Sequence, residues 1–304
     1  MRRLDNIDIR LLRVFVALVD ARGFADAQLV LNLSQSTLST HLAELEKRIG
    51  AQLCFRGKQQ FRLTEVGQVT YDAAQKLFLD LDEFSRRVGS TRGGLSGRLR
   101  LGASDGTYTS RQLGLQHTIR HFLADGADVF LELALGTPSE LEQKVADGEL
   151  DIVVAPLSQR APSVTYRDYG TEPHSLYCGA THPLFGKPDS SLDMKDIENS
   201  RFCVRRYRHF DDLYLVGHPR ASASTVEMEA QAMMILSGHF IGFLPCHFAE
   251  PWVKSKELRA LKRSSFDFVS THRVAYRTAS ATNPLIVAFL NALDTSRSEA
   301  KGTF

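Results

Sequence analysis

Cysteine is scarce and scattered: Cys54, Cys178, Cys203 and Cys246 form no CxxC pair. That excludes the common zinc-ribbon and dithiol patterns and fits four unpaired thiols in a reducing compartment. No window approaches the ~18–20 apolar residues of a membrane span. The opening "MRRLDNIDIRLLRVF" has early arginines, but Asp20, Arg22 and Asp26 interrupt any apolar run, and no small-residue cleavage site follows. A cytoplasmic protein is therefore expected. Catalytic signatures are also missing, with no GxSxG elbow, Walker A loop or GxGxxG fingerprint. "HTIRH" spaces His117 and His121 like zinc ligands, yet Thr118 stands where the glutamate base would be needed. No enzyme activity, metal or cofactor is expected.

Charge of either sign is nearly balanced at +2 overall, but it is unevenly placed. Residues 1–62 carry ten Lys/Arg against six Asp/Glu, which leaves −2 for the rest. A basic end on a near-neutral body points to a polyanion. At 304 residues, 43% hydrophobic and 24% charged, the chain is long enough for two or three globular domains.

The spacing of Ile9, Leu12, Phe15, Val16 and Val19 predicts an amphipathic helix to about Ala21, broken by Gly23. Phe24, Ala27, Val30 and Leu31 predict a short second helix. A third, capped by Ser34, packs through Leu38, Leu42, Leu45 and Ile49 and stops at Gly50. Three short helices with a tight turn between the last two make a helix-turn-helix. The start of the third helix holds Ser34, Gln35, Ser36, Thr37, Ser39, Thr40 and His41. Capping needs one or two of these; the rest suit base edges in a major groove. "RGKQQ" between two short β-like runs predicts a wing, with Arg56, Lys58 and Arg62 toward phosphate. Thr64 caps a long helix to about Val88. Its stripe of Ala73, Leu77, Leu81, Phe84 and Val88 is either core-facing or a dimer seam, and the seam is favoured.

The run from Leu11 to Gly67 resembles the N-terminal domain of LysR-type transcriptional regulators. The matching pieces are the Phe15 helix, Phe24 and Ala27, "LSQSTLS", Leu45–Glu46, Gly50 and "RLTEVG". Ser36, Thr40 and Val66 stand where the family usually has proline, a basic residue and alanine. Glycine-rich "STRGGLSGRLRLG" then reads as a hinge, and alternating strand and helix patterns beyond it argue for a mostly parallel α/β body. The resemblance extends there and implies a two-lobed, periplasmic-binding-protein-like effector domain. The expected organisation is an all-α winged helix-turn-helix over 1–63, a linker helix over 64–90, a hinge over 91–97 and the effector domain over 98–304. Lobe I would span about 98–168 and 271–297, and lobe II about 169–270.

In such a fold a small molecule sits between the lobes, at strand ends and helix N-termini. Candidates are Ser104, Asp105, Gly106 and Thr107 after one strand, Thr137 and Pro138 after the next, and Arg205 and Tyr207 in "FCVRRYRHFDD". Phe243, in the matching "IGFLPCHFAE", joins them through the resemblance. By themselves Thr137, Pro138 and Glu140 read as a capping box, and it is the resemblance that places the residue after Gly136 in the effector pocket. The arginines could bind an anion or lie solvated, and Asp105 either disfavours an anionic ligand or pairs with Arg205. The resemblance implies a homodimer or homotetramer binding double-stranded promoter DNA as an inverted repeat, in contact with RNA polymerase and without a membrane. The one cofactor-like partner implied is a small-molecule co-inducer of unknown identity. Nothing local suggests a lowered thiol pKa, so the cysteines read as small buried hydrophobes.

Overall fold

The computed structural model describes residues 6–55, 61–90, 95–124 and 128–302. It divides into two compact units, Met1–Val88 and Gly89–Phe304. The first unit runs α1 (Asn6–Asp20), α2 (Phe24–Leu31), α3 (Gln35–Ile49), β1 (Cys54–Phe55), β2 (Arg62–Leu63) and α4 (Glu65–Ser90). Leu11, Phe15 and Leu18 of α1 close on Ala27 and on Leu38, Leu42 and Leu45 of α3. The Ser34 hydroxyl accepts from the Thr37 N–H, and Gly50 ends α3 in the left-handed conformation. Glu46 then satisfies the chain beyond the helix: its carboxylate accepts the Leu53 N–H at 3.0 Å. Leu45–Glu46 is thus one core side chain followed by one backbone anchor.

The antiparallel pair β1–β2 feeds α4, whose first turn is capped by the Thr64 hydroxyl accepting from Gly67 N–H at 2.9 Å. A Cβ at Gly67 would lie 1.8 Å from the Leu53 carbonyl oxygen, so only glycine permits this approach. The face that α4 turns to its own unit is Ala74, Leu77 and Phe78, with Tyr71. Of the expected stripe, Leu77 therefore belongs to the core, whereas Ala73 and Phe84 are exposed, Leu81 is half-buried and Val88 lies outside the described side chains. The sequence spacing alone could not separate two adjacent helix faces.

The second unit begins β3 (Ser96–Ala103), α5 (Leu115–Phe122), β4 (Asp128–Leu135), α6 (Pro138–Asp147), β5 (Ile152–Ala155) and β6 (Val164–Gly179). It continues α7 (Met194–Glu198), β7 (Cys203–Arg205), α8 (His209–Val216), β8 (Ala223–Thr225), α9 (Met228–Leu236), β9 (Ile241–Pro245) and α10 (Cys246–Lys254). It ends with β10 (Leu258–Ala260), α11 (Arg263–Phe266), β11 (Phe268–Arg277) and α12 (Pro284–Gly302). The main sheet has the order β10-β6-β11-β5-β3-β4, with β9 also on β6.

The expectation of a mostly parallel sheet is corrected. β3 is parallel to β4 and β5, but β11 is antiparallel to β5 and β6, and β6 is antiparallel to β9 and β10. Alternating patterns give the order of elements but not the direction in which a returning strand such as β11 enters. On one side of the long β6–β11 pair, Leu99, Leu101, Phe122, Ile286 and Phe289 fill a core, and Leu141, Val145 and Val153 fill its opposite face. On the other, Leu176, Phe202, Ile241 and Phe243 form a second core, and Tyr177, Met228, Ile235 and Phe248 a neighbouring one. Two lobes with separate cores thus share two strands, and the β6–β11 register shifts between His272 and Arg273 where they meet.

Candidate nucleic-acid interface and inter-lobe site

On α3 the exposed line is Ser36, Thr40, Ala43 and Lys47, at helical spacing, with Gln35 and Ser34 exposed at its start. Much of the expected polar cluster is already bonded locally. Ser34 Oγ lies 2.8 Å from both Ser36 Oγ and Thr37 Oγ1, and Thr40 donates its hydroxyl proton to the Ser36 carbonyl at 2.9 Å. Thr40 can therefore present only lone pairs outward. Ser39 is half-buried. His41 is also half-buried, on the flank beside Leu42 and Leu45, and its Nδ1 is enclosed without a hydrogen-bond partner. Its half-burial sets it apart from the exposed line of Ser36, Thr40, Ala43 and Lys47. Lys47, which the sequence reading counted only as charge, joins the exposed line; the i, i+4, i+7, i+11 spacing from Ser36 was the signal for it. Arg62 is exposed on β2, and Arg56 and Lys58 lie outside the described residues.

Between the lobes, the end of β3 turns sharply through Ser104 to Thr107. Gly106 adopts φ +72, and a Cβ there would meet Met228 Sδ at 2.5 Å. Asp105 resolves the alternative left by the sequence: its carboxylate accepts from Arg205 at 2.8 Å, with both side chains nearly buried. The same carboxylate receives the Met228 N–H at the start of α9, while Arg205 also donates to the Val226 carbonyl. A lobe I aspartate thus caps a lobe II helix. Arg205 is covered by this pair and by the Tyr207 ring, whose centroid lies 5.0 Å away. Burial pushes the Tyr207 hydroxyl above its ordinary range.

Thr137 and Glu140 form the capping box, which together with Lys144 and Arg206 holds the Glu140 carboxyl below its usual range. Pro138 and Thr107 are buried, as is Ser104. Phe243 is enclosed between Phe202 and Phe268 in the lobe II core. Its aromatic character was core, and the flanking apolar residues in "IGFLPCHF" were the sign of it.

The junction also holds a cluster the sequence reading missed. Glu172 lies in β6, buried, with His247 Nε2 2.9 Å from Oε1. His174 Nε2 and His272 Nε2 stand 3.3 and 4.0 Å from Oε2. Burial raises the Glu172 carboxyl, but the His247 hydrogen bond and the surrounding imidazoles outweigh it, and its pKa is lowered. Burial holds His174 down at about 4 and lowers His272 too. The histidines lie as far apart as residues 174 and 272 in sequence; only Glu172 and His174, two apart on one strand, share a local signal. Among the described residues no group of three His, Cys, Asp or Glu could hold a metal ion. Cys54, Cys178 and Cys203 are buried, with burial pushing Cys178 up to about 12 and Cys203 to about 11, while Cys246 is half-buried. No described helix is long and apolar enough to cross a membrane.

Comparison with known proteins agrees with both halves. Residues 9–68 match the model of the bacterial regulatory helix-turn-helix proteins of the lysR family, and residues 92–297 match the LysR substrate binding domain. The HTH-type transcriptional activator BauR of Pseudomonas aeruginosa is 32% identical over 301 residues, covering 97% of each chain. Among solved structures, a full-length OxyR from Pseudomonas aeruginosa shares the fold at TM-score 0.59 and 23% identity, covering 98% of this chain and 96% of that one. Full-length CbnR complexed with its target DNA does so at TM-score 0.65 and 19% identity, covering 95% and 99%. The chain therefore belongs to the LysR family of helix-turn-helix transcriptional regulators, with an effector-binding domain of that family's type.

Proposed function

We propose that the protein binds an operator through α3 and the β1–β2 wing, and that a small molecule entering the lobe junction changes its action on transcription. The observation that carries this is the exposed line Ser36, Thr40, Ala43 and Lys47 on an otherwise core-bound helix. Such a line presents acceptors and one cation to a groove and its phosphates. Self-association follows two uncovered surfaces. Phe84 and Val69 on α4 are exposed, and β4, a sheet edge, exposes Phe130, Leu133 and Leu135. One surface gives a dimer and both together a tetramer, so the operator is an interrupted inverted repeat. The relative BauR is named an activator, which favours activation and contact with RNA polymerase in the cytoplasm.

Fluorescence anisotropy tests this on the duplex immediately upstream of the gene against a scrambled duplex, over several salt concentrations. Preference for the native duplex of ~10³-fold or more is expected. Equal, steeply salt-dependent affinity for both would reduce the protein to a non-specific binder at this site.

A further inference from the structure

Glu172 is buried with no arginine or lysine paired to it among the described residues. Its side chain is 4% exposed, yet the imidazoles around it hold its carboxyl below the usual range against the cost of burial, so it stays an anion. The arginines of this neighbourhood are spent elsewhere, Arg205 on Asp105 and Arg208 on Asp212. The three histidines do not serve the two carboxylate oxygens alike. Oε1 faces His247 Nε2 at 2.9 Å. Oε2 receives no hydrogen bond from a described residue: His174 Nε2 stands 3.3 Å away and His272 Nε2 4.0 Å. The other nitrogen of His174 decides what Nε2 carries. Nδ1 lies 3.0 Å from the Glu172 carbonyl oxygen, which only accepts, so the ring proton sits there. The ring stacks on Phe268 with centroids 4.6 Å apart, and burial keeps it from charging until about pH 4. Nε2 is therefore a bare lone pair beside a carboxylate oxygen. Leaving two such acceptors buried and unpaired is costly, and a positively charged donor offsets that cost.

We propose that the lobe junction binds an aliphatic primary ammonium group, which donates one N–H to Glu172 Oε2 and another to His174 Nε2. This deepens the effector reading above and rests on it for any role in transcription, the ammonium being the end of the effector that is recognised here. An ammonium brings three donors and one positive charge to the two open acceptors. A guanidinium fork suits a carboxylate with both oxygens open, whereas Oε1 is already taken by His247. A bridging metal ion is another way to join two lone pairs, but among the described residues no group of three His, Cys, Asp or Glu is placed to hold one. An anionic group at this point would add its charge to a carboxylate that has no cation of its own.

The test uses the full-length protein without DNA, so the site and the effector reading can fail separately. Binding of n-butylamine, n-butanol, butanoate and butyltrimethylammonium is measured by saturation-transfer NMR of the small molecules. At about pH 7.5 an amine of lysine-like pKa, ~10.4, is fully charged. n-Butylamine should bind at least about tenfold more tightly than each of the other three, the effect of a charge-assisted hydrogen bond. Glu172→Gln keeps the shape, removes the charge and should abolish that preference. His174→Phe keeps an aromatic ring against Phe268, removes the acceptor and should weaken the amine about three- to tenfold; it decides the matter if the glutamine variant misfolds. Butanol or the trimethylated cation binding as tightly as the amine, no binding of the amine, or an undiminished preference in either variant overturns the proposal. Amine binding as expected with no change in operator affinity upholds the site and counts against the effector reading.

Discussion

Removing Asp105 should cost far more than removing a surface carboxylate, because it strands a buried guanidinium. The Asp105 and Arg205 side chains are 13% and 8% exposed, and the pair is 2.8 Å long. Breaking a buried pair by deleting one partner typically costs ~3–5 kcal/mol. Asp105→Ala also takes the acceptor from the Met228 N–H, but Arg205 keeps the Val226 carbonyl and the Tyr207 ring. The lower end, about 3 kcal/mol, is therefore expected. Arg205→Met strands Asp105 in turn, whereas the double variant leaves neither charge, so the coupling energy should be ~2–3 kcal/mol. Urea unfolding of the full chain can be followed at Trp252, the sole tryptophan, which reports only the second unit. Because the pair is shielded from solvent, the coupling should change little with salt. A coupling of about 0.5 kcal/mol or less would refute the reasoning and reduce the contact to the value of a surface bridge.

On DNA, Thr40→Val should weaken operator binding more than non-specific binding by ~1–3 kcal/mol. Lys47→Ala and Arg62→Ala should weaken both alike and lower the salt slope by about one each, as read by anisotropy. Gly67→Ala should destabilise the first unit by at least ~1–3 kcal/mol, because the obstacle is backbone and cannot swing aside; an unchanged far-UV melting profile would contradict it. Stability in acid should reflect two opposed groups. Burial raises Asp212 to about 6 despite Arg208, so its contribution is full below about pH 4 and is lost as pH rises through 6. His174, lowered to about 4, does the reverse, contributing stability that grows as pH rises from 4 toward 6.5. At about 1.4 kcal/mol per unit, each is worth up to ~3 kcal/mol. Asp212→Asn should therefore steepen the rise of the Trp252-monitored midpoint over that range, and a profile superimposable on the wild type would exclude the assignment.

Local grammar carried most of the fold. Ser34, Thr64 and the Thr137–Glu140 box cap helices because hydroxyl, spacing and following apolar residues all lie within a few positions. What needed three dimensions was less legible. Leu77 and Ala73 sit on neighbouring faces of α4, and only packing shows which is covered. His41 sits beside polar neighbours in sequence but on the flank of the core in space. Arg205 announced an anion, and the anion is the chain's own Asp105. The Glu172 cluster draws on β6, α10 and β11, and no pattern within one segment joins them.

The contact between Gly67 and the Leu53 carbonyl has a mechanical side. Thr64 donates its hydroxyl proton to the Gln52 carbonyl at 2.7 Å and its amide proton to the Leu53 carbonyl at 2.9 Å. With no Cβ at Gly67, the first turn of α4 is held directly against the Gln52–Leu53 segment that leads into β1. The helix then works as a crank. On the proposed DNA-binding reading, a few degrees of twist applied along it would carry β1, β2 and Arg62 with it relative to the DNA backbone.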